Sequence, residues 1–311
     1  MPVDVITGIG NTCYAIGFLG YSCLMDTKQT VKEFLVACRS RLSPEQAGLQ
    51  AFGGNRRVAG LRREEVAMLA GVSADYYIRL ERGNLDGASD SVLNALARAL
   101  QLDTTETTYL FDLAKSARSG VPTRATASVK GLRANLEQIL ASIHDVPVFI
   151  TSGRLELLGA NKLGRALYSP VFESGIAQGN IARWIFLDAN SQDFYVDYAK
   201  ICEAAVGTLR LEALRAADDP KFQALIGELS SKSESFRTLW AKHRVYRHPG
   251  GTKSIIHPLI GQITLTYEPF QVLAEGPVSM NIYTAEPGSE AEQKLTILGA
   301  WVAENSATVN S

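Results

Sequence analysis

Residues 63 to 82 restrict what this chain can fold into more than any other stretch. They read Arg63-Glu64-Glu65-Val66-Ala67-Met68-Leu69-Ala70-Gly71-Val72-Ser73-Ala74-Asp75-Tyr76-Tyr77-Ile78-Arg79-Leu80-Glu81-Arg82. The spacing suits two short helices crossing steeply over a three-residue turn. Gly71 stands where that turn needs a left-handed backbone, which a side chain would penalise. Ala67 is small where the second helix must approach the first. Ser73 is placed to cap the second helix by accepting a backbone N–H bond. Val66, Ala70, Val72, Tyr77 and Leu80 fall where the pair must bury a shared face. A helical pair whose charges merely solvate its surface is the competing reading, and it leaves the coincidence of Gly71 with Ala67 unexplained.

The outward positions of the second helix are Ala74, Asp75, Ile78, Arg79 and Arg82, with Tyr76 at the side and Ser73 at its start. Arg79 suits a guanine edge, Asp75 a cytosine amino group or its own helix N-terminus, and Ala74 a thymine methyl. Arg62 and Arg63 open the first helix, where free amides already favour an anion, and with Arg56 and Arg57 they form an expected phosphate clamp. Lys and Arg total 31 against 32 for Asp and Glu, so any basic footprint is local. Between Arg39 and Arg82 stand eight Arg and five acids, a net of +3. That modest charge predicts tight binding to double-stranded DNA only from a homodimer, which doubles the phosphate contacts.

The chain is 311 residues long, and a single core seldom grows past ~250 residues, so two domains are expected. Residues 1–27 read as a poorly ordered N-terminal segment. Asp4 is the only charge in the first 24 residues, and no basic region marks a secretory signal. Residues 28–118 form an expected all-α helix-turn-helix domain. Thr30 is placed to cap its first helix (Val31, Phe34, Leu35 and Cys38 on the apolar face), Ser89 or Asp90 a helix over 92–100, and Thr104 or Thr105 the last one. Residues 46–60 read as a loop. Ser119-Gly120-Val121-Pro122-Thr123 begins a linker over 119–130. Residues 131–306 change texture: a helix over 132–143, a hairpin from Val146 to Leu158 turning at Ser152-Gly153, a helical middle over 161–241, and strands at 253–256, 262–267 and 278–284. A final helix follows Pro287-Gly288-Ser289. The whole is an α+β chain, an all-α domain followed by a domain with an antiparallel sheet.

Apolar residues make up 46% of the chain and charged ones 20%, which excludes a disordered protein. No run of eighteen apolar residues marks a membrane span. Cys13, Cys23, Cys38 and Cys202 follow no metal or disulfide spacing and fit a reducing cytoplasm. His243, His248 and His257 match no metal-ligand spacing. Gly-x-Ser-x-Gly elbows and Gly-rich phosphate loops are absent from the sequence, so neither a catalytic residue nor a cofactor is assigned. The second domain instead carries Phe149, Trp184, Phe186, Tyr195, Tyr198, Trp240, Tyr267 and Tyr283 beside its strands. These suit core packing or the walls of an apolar cavity with a few polar anchors. The candidate anchors are Asn161, Arg183 and His243. Arg183, next to Trp184 on an otherwise apolar helix, suits the acidic end of a ligand or an ion pair with Asp188.

Leu61 to Ala67, Ala70-Gly71-Val72-Ser73 and Tyr76 to Gly83 resemble helix-turn-helix regulators of the XRE type, in particular the MmyB-like family. The likeness continues through Gly227-Glu228-Leu229-Ser230, Phe236 to His243, His257 to Gly261, Leu265 to Glu268 and Tyr283 to Ser289. The resemblance implies a λ-repressor-like DNA-binding domain and a PAS-like sensor domain that accepts a fatty-acid-like molecule. From the polar anchors and aromatics above, the expected ligand-binding residues are Asn161, Arg183, Trp184, Trp240, His243 and Tyr267. One departure is Leu158-Gly159-Ala160-Asn161, where family members usually carry Trp before the Asn; losing that ring enlarges or reshapes the cavity. The expectation is a cytoplasmic, ligand-sensing transcription regulator. A protein-binding adaptor, an enzyme acting on a lipid-like substrate, and a flavin- or haem-carrying sensor are the competing classes.

Overall fold

The computed structural model describes residues 27–49, 58–119, 132–245, 250–273 and 276–308. The expected N-terminal segment up to residue 26, Arg56, Arg57, His248 and the linker from residue 120 onward lie outside the described residues.

The N-terminal unit contains α1 (Thr27–Arg41), α2 (Arg63–Ala70), α3 (Ala74–Glu81), α4 (Asp90–Ala99) and α5 (Thr104–Ser119). α1 starts at Thr27, so Thr30 is a buried residue inside the helix and not its cap. Its apolar face is the one read from the sequence, with Val31, Phe34, Leu35 and Cys38 buried. Ser89 caps α4, accepting from the Val92 amide at 3.4 Å. α5 is capped by neither threonine. Asp103 Oδ1 accepts from the Glu106 amide at 2.8 Å, and Glu106 Oε2 accepts from the Asp103 amide at 3.2 Å, a reciprocal box that satisfies two otherwise free donors. Arg41 grips both oxygens of Glu106 and so ties α1 to α5.

At the α2–α3 corner Gly71 has φ 65° and ψ 34°. Its amide donates to Met68 O at 3.1 Å, and the Val72 amide donates to Ala67 O at 2.9 Å, which closes α2. Ser73 Oγ accepts from the Tyr76 amide at 3.2 Å and opens α3. Val66, Ala67, Ala70, Tyr77 and Leu80 are buried together in the core of this unit.

The second unit opens with α6 (Ala134–Ser142), β1 (Val148–Ser152) and β2 (Leu157–Ala160). Seven helices follow: α7 (Lys162–Leu167), α8 (Ser169–Glu173), α9 (Ile181–Leu187), α10 (Asn190–Phe194), α11 (Tyr198–Ala213), α12 (Pro220–Lys232) and α13 (Glu234–Ala241). The chain closes through β3 (Gly251–His257), β4 (Gly261–Gln271), β5 (Val278–Thr284) and α14 (Glu290–Thr308). The strands form one antiparallel sheet in the order β2-β1-β5-β4-β3. The fold is therefore α+β, as expected, with an all-α unit followed by an antiparallel sheet and its helices.

Successive strand residues point to opposite faces, and the two faces bury different things. On one face Val148, Ile150 and Val278 pack with Leu136 and Leu140 of α6. On the other Phe149, Ile255, Leu265, Tyr267 and Tyr283 meet the helical layer. A register shift between Ile150 and Thr151 bends the β1–β2 ladder. Asn161, buried directly after β2, holds the entry to α7. Its Oδ1 accepts from Gly164 N at 2.7 Å and Val148 N at 3.0 Å, and its Nδ2 donates to Ile143 O and Val146 O.

Nothing lies within 4 Å of a Cβ built on Gly71, so the left-handed backbone is the sole obstacle to a side chain there. Gly71→Ala is expected to lower stability by about 1–2 kcal/mol with the fold intact, measured by urea unfolding followed by circular dichroism.

Candidate functional site

α3 turns its apolar side inward and leaves a polar row on the surface. Ser73, Asp75, Arg79 and Arg82 are exposed, while Ala74, Tyr76 and Ile78 are half-buried. The Arg79 guanidinium lies 5.0 Å from the centre of the Tyr76 ring, which supports its planar fork beside the helix. Arg62 is exposed at the start of α2, and its amide donates to Glu65 Oε2 at 2.7 Å. Arg63 is differently employed: its Nε donates to Glu81 Oε2 at 2.9 Å. Arg39 of α1 donates to the other Glu81 oxygen at 3.1 Å. Glu81 is 2% exposed, so one buried carboxylate joins α1, α2 and α3. The hydrogen bond to Glu81 also holds the Arg63 guanidinium above its ordinary pKa. In the sequence Glu81 enters only the net-charge count, although it is not among the outward positions of α3 and follows the buried Leu80.

In the second unit, the inner face of the sheet and helix α11 line two partly open spaces of about 120 and 270 Å³, the smaller of them also lined by Ile181 and Ile185 of α9. Both are lined by Thr151, Leu155, Thr208, Tyr267 and Asn281, so the two spaces adjoin and are together called the cavity. Leu155 reaches it from a backbone with φ 61°, a conformation that costs a non-glycine residue about 1–3 kcal/mol. The smaller space is aromatic and contains Lys253 of β3. Its Nζ donates to Tyr283 Oη at 3.0 Å and sits 3.5 Å from Tyr168 Oη. It also lies 4.8 Å from the centre of the Tyr267 ring. Burial pushes the ammonium down to about 8, and no carboxylate among the described residues offsets that burial. The larger space is more polar and is lined by Glu212 and Arg215 from the end of α11. Burial pushes Glu212 up to about 7, against the pull of Arg215 and Arg154 and with the help of Asp219 and Glu156. Arg154 is itself paired with Asp219.

Of the residues singled out by sequence, Tyr267 lines both spaces, and Phe149, Tyr195 and Tyr283 line the smaller one. The remaining ligand-site candidates are placed elsewhere. Asn161 spends its hydrogen bonds on backbone, as described above. Arg183 pairs with Glu228 of α12 at 2.8 Å, and not with Asp188. Trp184 is buried against Phe194 and borders a separate, open depression. Trp240 stacks on Phe236 at 5.4 Å and lies under the Arg210 guanidinium at 4.1 Å. His243 stands 3.4 Å from Glu33 of α1, and burial together with Arg210 holds its pKa below the ordinary value. In the sequence Lys253, between Thr252 and Ser254, and Glu212, between Arg210 and Arg215, read as surface charges. The available signal was the two-residue spacing that puts Lys253 on the same strand face as Ile255.

His243 belongs to a contact between the two units. Val245 is buried in the N-terminal core, and Leu211 and Leu214 at the end of α11 pack against the same cluster. Arg210 donates to Trp240 O, and its pKa is held below the ordinary value by burial, opposed by Tyr109 of α5 and Glu33. α11 thus faces the cavity through Ala204, Ala205, Thr208 and Leu211, and the N-terminal unit through Leu211 and its C-cap residue Leu214.

Among the described residues no group of three or more His, Cys, Asp or Glu is placed to hold a metal ion, and no helix is long and apolar enough to cross a membrane. Cys38 and Cys202 are buried thiols, pushed up to about 12 and about 11 by burial.

A raised folded-state pKa for a carboxyl means that its ionisation opposes folding. The penalty is absent below the unfolded-state value of 4.5 and complete above about 7. Glu212→Gln should therefore be no more stable than wild type at pH 4 and more stable by up to ~3 kcal/mol at pH 8. Urea titrations across that range measure the difference.

A family model described as a helix-turn-helix domain matches residues 52–110. A second, the MmyB-like transcription regulator ligand binding domain, matches residues 132–298. Comparison with curated proteins found no match. The two matched families carry a DNA-binding function in the first unit and a small-molecule-binding function in the second. The ligand-binding match spans more than half of the sequence and lies behind a helix-turn-helix, so the chain belongs to the MmyB-like transcription regulators.

Proposed function

We propose that the protein is a one-component regulator that docks α3 in the DNA major groove and changes its DNA affinity when a small hydrophobic acid of the fatty-acid type fills the cavity beside Lys253. The observation that carries this reading is the double duty of α11, which lines the cavity and seats the N-terminal core with one rigid segment. A ligand shifts DNA affinity only through its different affinity for two arrangements of the protein, a coupling typically worth ~1–3 kcal/mol. The chain works in the cytoplasm as a homodimer on two half-sites about one helical turn (~34 Å) apart. Arg79 reads a base edge. Arg62, Ser73, Tyr76 and Arg82 hold the backbone, with Arg56 and Arg57 assigned to the same task from sequence. Ala74 and Asp75 lie against the bases, and Arg63 supports the clamp from its pair with Glu81. Neither domain is assigned a catalytic step.

The test begins with a preferred duplex selected from random sequence by the full chain. Arg79→Ala should reduce discrimination at one base position. Arg62→Ala should weaken all duplexes alike and lower the salt slope of binding by about one unit. Octanoate should change the affinity of the wild type for the selected duplex several-fold and leave Lys253→Met unchanged, by fluorescence anisotropy. Equal losses on selected and random duplexes for Arg79→Ala would remove that residue from the reading role.

A further inference from the structure

We propose that the cavity is built for a two-ended ligand, a medium-length carboxylic acid whose far end carries a hydroxyl group, with the carboxylate on Lys253 and the hydroxyl on Glu212. This rests on the reading of Lys253 as an acid anchor and adds a second recognition point that a plain fatty acid would leave unmet.

Three observations at the far end support it. Glu212 is 4% exposed, and its Oε2 has no hydrogen-bond partner among the described residues. A buried acceptor without a donor is costly, so the site is complete only when something donates to it. Gly153 is packed directly against that oxygen: a Cβ there would fall 2.4 Å from it. The absent side chain makes room for the carboxylate at the edge of the cavity. Arg215 lines the same space as a donor, so a hydroxyl there gives its proton to the Glu212 carboxylate, once that group turns from Gly153 toward the space, and accepts from the guanidinium. The route between the ends is lined by Thr151, Thr208 and Asn281 as well as apolar groups, and Tyr267 faces both spaces. Along α11 the span from Ala205, which lines the smaller space together with Lys253, to Glu212 is ~10 Å, the scale of a medium-length chain and not a long one.

Isothermal titration of the full-length protein with octanoate and with ω-hydroxyoctanoate tests this. The wild type should bind the hydroxy acid at least ten-fold more tightly, since a site built to hydrogen-bond a hydroxyl discriminates strongly against the analogue lacking it. Glu212→Leu should reverse that preference, and Gly153→Ala, which crowds the carboxylate, should abolish it. Lys253→Met should weaken both acids at least ten-fold. Equal affinity of the wild type for the two acids, or an unaltered preference in both Glu212→Leu and Gly153→Ala, overturns the second anchor; a loss of both acids in Lys253→Met would then leave the acid-anchor reading standing. Failure of either acid to bind, or full binding in Lys253→Met, brings down the acid anchor and the two-ended ligand together.

Discussion

α11 has two neighbours to satisfy and one backbone with which to do it. Its side chains at 204, 205 and 208 form a wall of the cavity, and those at 211 and 214 close the gap to the N-terminal core. Arg210, 2% exposed, fixes the rotation of the helix between these tasks because its guanidinium lies on the Trp240 ring and donates to the Trp240 carbonyl. Close-packed interiors transmit displacement and do not absorb it. A helix locked in this way cannot yield to the contents of the cavity without disturbing its other contacts. The separation of the chain into a DNA-facing unit and a cavity-bearing unit is therefore a separation of cores and not of mechanics.

The same economy governs the DNA-facing unit. Two of its arginines, Arg39 and Arg63, converge on Glu81, and a buried carboxylate with two partners from two other helices sets the angle at which α3 leaves the surface. The tally of basic residues in this region consequently overstates the charge free to meet a polyanion. What remains exposed on α3 itself is a short row ending in Arg79 and Arg82, backed by Tyr77 and Leu80. Specific recognition by so few groups depends on orientation more than on attraction at a distance.

The parts of this architecture that were legible in the sequence are those decided locally. Gly71, Ser73 and the buried row of α2 and α3 follow from turn geometry, capping and helical period, and the strands from alternation. Errors in capping arose where two polar residues competed: Asp103 takes the role expected of Thr104 because Glu106 answers it across one turn. The cavity was harder to read, since burial of a charge is a tertiary event. Lys253 and Glu212 look like surface residues until the sheet and α11 close over them. Asn161, Arg183 and His243 attracted attention as polar groups in apolar surroundings, yet each meets a partner in the protein: backbone at the start of α7, Glu228 of α12, and Glu33 of α1.

Lys253 carries a further consequence, for the lifetime of the molecule. An ammonium enclosed by rings and hydroxyls, with no balancing carboxylate among the described residues, is a standing cost to the folded chain. Any anion that settles against it contributes its binding free energy to folding. Empty copies then visit open states more often than filled ones. A filled cavity of this kind lengthens the life of the fold, whatever it does to the contact between the two units.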